Sequence, residues 1–153
     1  MISIRSKSKF PNELLERAAQ AALKNRSSFL EADLAIVLTD DKKIQKLNRD
    51  YLGIDAPTDV LSFPASETGG SEFDPETGAR YIGDIVISLP YAARSAEKAG
   101  HALEAEVQLL VVHGVLHLLG YDHAAPKEKS KMWKAQAQIL ATLGLGALKI
   151  REE

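Results

Sequence analysis

The chain has 153 residues, of which 45% are hydrophobic and 26% are charged, and this fits one globular domain large enough to bury a core. It contains no Cys, which excludes disulfides and thiolate metal sites and favours a reducing compartment. Its net charge of −2 at pH 7 is unlike that of a dedicated nucleic-acid binder, which is usually basic overall.

The first half of the chain alternates strand patterns with helix patterns. Strands are predicted where apolar and polar residues alternate or where β-branched residues form a compact run. Helices are predicted where apolar residues recur at helical spacing behind a capping residue. In chain order these elements are a strand at residues 2–4, a helix at 12–25 capped by Asn12, a strand at 33–39 and a helix at 41–51.

The second half contains the most apolar helix pattern. Pro64 ends a strand at 59–64, and residues 65–80 predict a mobile loop. The remaining elements are a strand at 81–88 and helices at 90–98, 103–119 and 126–143. Because apolar residues cover nearly every face of the helix at 103–119, we predict that it is the central buried helix. The whole pattern predicts an α/β (α+β) domain, with a small mixed sheet of about four strands packed with about five helices.

Three histidines lie in the segment HGVLHLLGYDH. His113 and His117 are four residues apart, so a helix directs both imidazoles from one face. Gly120 at the predicted helix end allows a left-handed turn that returns His123 as a third ligand. Three protein ligands and an open fourth position are typical of a catalytic zinc site. Zinc suits imidazole ligands best, with Ni, Co, Cu or Fe as lesser alternatives; the other interpretation is three histidines that are satisfied by hydrogen bonds.

The spacing is that of the metzincin protease motif HExxHxxGxxH, with one difference. Gly114 stands where those proteases carry the Glu that deprotonates the zinc-bound water, and glycine cannot act as a general base. Peptide cleavage is therefore disfavoured. RNA cleavage is less demanding, because the substrate supplies its own 2′-hydroxyl and a metal stabilises the phosphoryl charge.

The histidine segment, together with DAPTDVLSFP at residues 55–64 and GDIVIS at 83–88, closely resembles the YbeY family of bacterial endoribonucleases, the ribosomal RNA maturation factors. The resemblance covers about residues 33–143. It implies a single zincin-like, zinc-dependent endoribonuclease domain over residues 1–153, with the metal motif on the central helix and one zinc ion per chain. It also implies single-strand-specific cleavage in 16S rRNA 3′-end maturation and a role in ribosome quality control.

The same resemblance implies ribosomal RNA and the small ribosomal subunit as partners, and it leaves open ribosomal proteins or assembly GTPases. No apolar run reaches the ~20 residues that span a bilayer, and the N-terminus lacks the apolar core of a signal peptide. We therefore expect a cytoplasmic protein without a membrane partner.

One position departs from the family. The family commonly carries an Arg, thought to act near the scissile phosphate, where this chain has Leu52. Arg49, one helical turn earlier, can place a guanidinium in similar space, or it is simply solvated. Asp122 either orients a histidine or shuttles protons beside the metal, or it caps the turn after Gly120. The predicted catalytic residues are His113, His117, Asp122 and Arg49.

Three further residues are predicted to bind substrate. Asp59 and Ser62 belong to the family segment and would shape the substrate groove. Tyr121 either stacks on a base or packs in the core.

The leading hypothesis is thus a zinc-dependent endoribonuclease of ribosomal RNA processing. Two alternatives stay open. One is a metallohydrolase of the peptidase or amidase type, against which Gly114 argues. The other is a non-catalytic ribosome assembly factor with a structural zinc, against which the open fourth ligand position argues.

Overall fold

The computed structural model describes residues 1–26, 32–65, 80–122 and 124–148. The predicted mixed α/β fold, with a four-stranded sheet and five helices, is confirmed within these ranges. Nearly all of the predicted loop at 65–80 lies outside them. The elements in chain order are β1 (Ile2–Arg5), α1 (Asn12–Leu23), β2 (Ala32–Thr39), α2 (Asp41–Leu52), β3 (Val60–Pro64), β4 (Arg80–Ser88), α3 (Leu89–Ala99), α4 (Leu103–Leu118) and α5 (Pro126–Thr142).

The sheet has the order β1-β2-β4-β3. The first three of these strands run parallel, and β3 pairs antiparallel with β4 at the sheet edge. Parallel neighbours require crossover connections, which α1 supplies between β1 and β2. Ser62 of β3 lies opposite Ile85 of β4, so its side chain points to the same face of the sheet as Ile85.

Helices cover both faces of the sheet. On one face, Ile44 of α2 packs with Leu61 and Val86. On the other face, Ile85 and the strand residues that point the same way pack into the main core, to which α1, α4 and α5 contribute. Helix α4 contacts α1, α3, α5, β3 and β4, and it is buried on almost every side, as its apolar pattern predicts.

Two glycines allow α4 to lie directly on the sheet. A Cβ at Gly114 of α4 would lie 3.0 Å from Cγ2 of Ile85. At Gly83 of β4, where φ is +141°, a Cβ would lie 2.3 Å from the carbonyl oxygen of Phe63 and 2.8 Å from Cδ2 of Leu118. The helix therefore approaches the strands more closely than side chains at these positions allow.

The N-terminal caps of α1 and α2 differ. The side chain of Asp40 accepts a hydrogen bond from the amide of Lys43 across 2.9 Å, and it caps α2. The prediction that Asn12 caps the first helix is wrong, because Pro11 occupies the cap position and Asn12 is already helical.

Within the described residues, no helix has both the length and the apolar character needed to cross a membrane.

Candidate functional site

Two histidines of α4 meet at their ring tips. The Nε2 atoms of His113 and His117 lie 3.1 Å apart. The ring centroids are 4.7 Å apart and the ring planes cross at 79°, so the rings meet edge to face. Both side chains are half-buried. The structure thus brings these two predicted residues together on one face of the helix.

The Nδ1 atom of each ring, on the side away from the other histidine, has its own hydrogen-bond acceptor. Nδ1 of His113 donates to Oε1 of Gln136, a buried residue of α5, across 2.9 Å. Nδ1 of His117 donates to the backbone carbonyl oxygen of Tyr121 across 3.1 Å. The indole of Trp133 packs edge-on against the His113 ring, with 5.7 Å between centroids. These contacts fix the orientation of both rings.

The same contacts determine where each ring carries its proton. A carbonyl oxygen only accepts hydrogen bonds, so neutral His117 has its proton on Nδ1 and a lone pair on Nε2. The amide oxygen of Gln136 imposes the same tautomer on His113. Two neutral rings held in this way direct both Nε2 lone pairs into the same space, and a cation bound there would stabilise the arrangement.

The turn after α4 positions the Tyr121 carbonyl. The predicted positive φ of Gly120 is confirmed, at +99°. The Gly120 amide donates to the carbonyl oxygen of His117, and the Tyr121 amide donates to that of Leu116, each across 3.0 Å. This glycine-dependent C-terminal pattern reverses the chain and places the Tyr121 carbonyl beside the His117 ring.

A cleft of ≈ 350 Å³ opens at His117. It brings His117 together with three other predicted site residues, one from the edge strand and two from the turn after α4. Its described lining residues are Ser62, Pro64, His117, Gly120, Tyr121 and Asp122.

The other contacts of these residues show what fixes them. Ser62 Oγ donates to the carbonyl oxygen of Gly114 across 3.3 Å, which ties the edge strand to α4. Asp122 is exposed, and its Oδ1 accepts from the Ala124 amide across 3.2 Å. This hydrogen bond agrees with the alternative in which Asp122 caps the turn after Gly120. Asp122 also lines the cleft.

Two predicted residues lie elsewhere among the described contacts. Asp59 is buried at the start of β3, where its Oδ1 accepts from the amide of Val60 across 2.8 Å, and it does not line the described cleft. Arg49 is exposed on α2, and its Nε donates to Oδ1 of Asp50 across 3.3 Å. That pairing and exposure favour the solvated alternative for Arg49. Leu52 is also exposed, at 59% of its surface.

His123, the predicted third ligand, lies outside the described residues. Among residues 1–26, 32–65, 80–122 and 124–148, no group of three or more His, Cys, Asp or Glu side chains could hold a metal ion.

Sequence reasoning missed Gln136. The residue lies on the buried face of α5 with Met132 and Leu140, four residues away on either side. A lone amide in an otherwise apolar stripe requires a hydrogen-bond partner, so its position was a usable signal. What the stripe cannot reveal is that the partner is His113.

Fold and cleft together define an α/β protein that presents two convergent histidines from its central helix. The model of the family described as endoribonuclease YbeY matches residues 1–144. An endoribonuclease YbeY of Pelotomaculum thermopropionicum is 46% identical, and one of Brevibacillus brevis is 42% identical, each over 86% of both chains. The chain belongs to the endoribonuclease YbeY family.

A solved structure shares the fold. The solution structure of TM1509 from Thermotoga maritima is similar with a TM-score of 0.59 and 26% sequence identity. The match covers 96% of this chain and 94% of the other.

Proposed function

We propose that this protein is a zinc-dependent, single-strand-specific endoribonuclease of ribosomal RNA processing. The observation that carries the proposal is the 3.1 Å separation of the His113 and His117 Nε2 atoms, beside a cleft that His117 lines. The relatives named endoribonuclease YbeY support the reaction class.

The donor set fits a zinc ion. Two nitrogens bound to one tetrahedral zinc lie roughly 3.3 Å apart, given Zn–N bonds of about 2.0–2.1 Å. The observed separation of 3.1 Å is close to that value. Each ring also donates its other N–H to an oxygen, which is the usual support of a metal-bound histidine. We propose His123 as the third ligand and a zincin-like arrangement with the motif on α4, in one domain over residues 1–153.

The residues of the cleft have distinct proposed roles. When bound, zinc would act as a Lewis acid toward a phosphoryl oxygen of the RNA. Asp122 would exchange a proton with the reacting groups, because its carboxylate is exposed at the cleft wall. Ser62 and Tyr121 would contact the RNA strand, since both line the cleft. Neither Asp59 nor Arg49 is part of this proposed set.

The environment of Gly114 argues against a peptidase. Gly114 is buried and a Cβ there would lie 3.0 Å from Ile85 of the sheet, so a side chain at this position would be tightly packed against the strand. The general base that HExxH proteases carry at this position is therefore absent for a packing reason as well as a sequence one. RNA in the small ribosomal subunit is the proposed substrate, and the cytoplasm is the proposed location.

The test uses purified protein loaded with zinc. We expect about one zinc per chain by elemental analysis, cleavage of single-stranded ribosomal RNA, loss of cleavage on chelation and recovery on zinc addition. Unstructured peptides should stay intact. A His113→Ala/His117→Ala variant that keeps full zinc occupancy would refute the metal site. Proteolysis by the parent protein that a His117→Ala control lacks would refute the reaction class.

The ends of the products distinguish two routes. A 2′,3′-cyclic phosphate would identify the RNA's own 2′-hydroxyl as the nucleophile. A 3′-hydroxyl end would identify water.

A further inference from the structure

A second groove, of ≈ 470 Å³, lies between α1 and α5. None of its described lining residues is acidic, and most of its lining side chains carry a positive charge or a hydrogen-bonding group. Its polar lining residues are Arg17, Gln20, Lys24, Asn25, Gln138 and Thr142.

One hydrogen bond links a residue of this groove to a residue of the cleft at His117. Nδ2 of Asn25, which lines the groove, donates to Oη of Tyr121 across 2.6 Å. Tyr121 in turn lines the cleft. The Arg26 guanidinium lies over the Tyr121 ring, 5.3 Å from its centroid. A polymer that leaves the cleft past Tyr121 therefore meets the end of α1.

The cations on α1 and in the turn that follows it are available to an anionic ligand. Arg17, Lys24 and Arg26 are exposed, and none of them forms an ion pair with a described carboxylate. Arg17 and Leu23, the last residue of α1, are six residues apart, which is roughly 9 Å along the helix, and Lys24 and Asn25 continue the path in the turn beyond it. Cations and amides along such a path match the phosphates and base edges of a single strand.

We propose that the α1–α5 groove binds the part of the single-stranded RNA that continues beyond the cleft. The inference rests on the proposed endoribonuclease function, and it assigns a binding path that starts at Tyr121 and follows α1. RNA is favoured over a protein segment, because the groove adjoins the cleft at Tyr121 and its described lining residues include cations and no acids.

The test compares short and long RNA in single-turnover cleavage by the zinc-loaded protein. Oligonucleotides of about four and about twelve nucleotides fall inside the range of single-strand site sizes. The protein concentration that gives half the maximal rate is measured for each, against salt concentration. The variant is Arg17→Ala/Lys24→Ala. The matched control is Lys42→Ala/Lys98→Ala, which removes two exposed lysines from α2 and α3.

In the parent protein, the long RNA should reach half the maximal rate at a lower protein concentration than the short RNA. We expect the groove variant to reduce this difference about tenfold. Its salt dependence for the long RNA should weaken by about 1.4 in logarithmic slope, because each lost phosphate contact removes about 0.7. The control should behave as the parent protein. Arg17→Lys/Lys24→Arg, which keeps both positive charges, should keep the parent's preference for the long RNA.

If RNA is cleaved and the groove variant matches the control, the groove is not the RNA path, and the proposed function stands. If the parent protein cleaves neither RNA, the proposed function fails and the inference fails with it.

Discussion

Gln136 of α5 holds the ring of His113 of α4 from behind, with 2.9 Å between Oε1 and Nδ1. The acceptor is a neutral amide, so it fixes the tautomer and the ring orientation without adding negative charge beside the histidines. Because Gln136 is buried, this support depends on how α5 packs against α4.

Replacing this acceptor should weaken the proposed metal site. Gln136→Leu removes the oxygen that fixes the His113 tautomer, and loss of such support typically costs about 10- to 100-fold in metal affinity. Zinc affinity is measured by competition with a chelator. The control is Gln138→Leu, an exposed residue of the same helix. Equal affinities in the two variants would show that Gln136 has no part in the site.

Gly120 should matter to the metal site through its backbone. Apart from the chain neighbours of each glycine, no atom of the described residues lies within 4 Å of a Cβ built at Gly120 or at Gly53, and both have positive φ, at +99° and +73°. Alanine at either position is therefore expected to cost about 1 kcal/mol of unfolding free energy, through backbone strain alone.

Only Gly120→Ala should also lower zinc affinity, because that turn carries the carbonyl that holds His117. Urea unfolding and chelator competition on both variants check this. A matching loss of affinity in Gly53→Ala would contradict the local explanation.

Restoring the protease residue should not restore protease chemistry. Gly114→Glu places a side chain against Ile85 at a buried position, where overpacking costs about 1–3 kcal/mol and burial of a charged group adds to that cost. We expect a clear fall in melting temperature and no peptide cleavage. Gly114→Ala should cost less, because its helix propensity, better by about 1 kcal/mol, offsets part of the overpacking. A stable Gly114→Glu protein that cleaves peptides would contradict this account.

Asp41 should make stability depend on pH. Partial burial raises the pKa of Asp41, but the hydrogen bonds from Ser88 and Arg94 and the charge of Arg94 outweigh it and lower the pKa. Ser88 Oγ and Arg94 Nη2 each donate to the carboxylate across 2.6 Å. A lowered folded pKa stabilises the fold above the unfolded value near pH 4, and this is lost as the pH falls through the folded pKa.

The expected size is about 1 kcal/mol, because both side chains of the ion pair are partly exposed. Urea unfolding of Asp41→Asn should therefore differ from the parent protein near pH 7, and the difference should close as the pH falls through the lowered folded pKa of Asp41. Arg94→Ala should show the same trend. A difference that is constant with pH would rule out Asp41 titration.

Arg49 should contribute little to turnover. Its guanidinium is exposed and donates to Asp50, so Arg49→Ala is expected to change the single-turnover cleavage rate by less than about threefold, below roughly 0.7 kcal/mol. Leu52→Arg should hold or raise the rate, since it restores the residue that the family commonly has. A tenfold loss in Arg49→Ala with unchanged zinc content would place its guanidinium at the phosphate.

Much of the fold was readable from the sequence, because the signals are local. Apolar alternation and helical spacing are set by each residue's neighbours, and they predicted all nine described elements. The meeting of His113 and His117 follows from the helical repeat, and the turn at Gly120 follows from glycine's freedom at positive φ. The histidine pair and the turn depend on local geometry alone, so they could be predicted without knowing how the helices pack.

The tertiary structure alone decided which distant groups complete the site. Gln136 meets His113 across 23 residues, and Asn25 meets Tyr121 across 96 residues. Substrate binding by Asp59 stays a prediction from its segment, and the structure adds that its carboxylate accepts from the amide of Val60. Sequence spacing determines which face of an element a side chain occupies, but the packing of helix on helix and helix on sheet determines what that face touches.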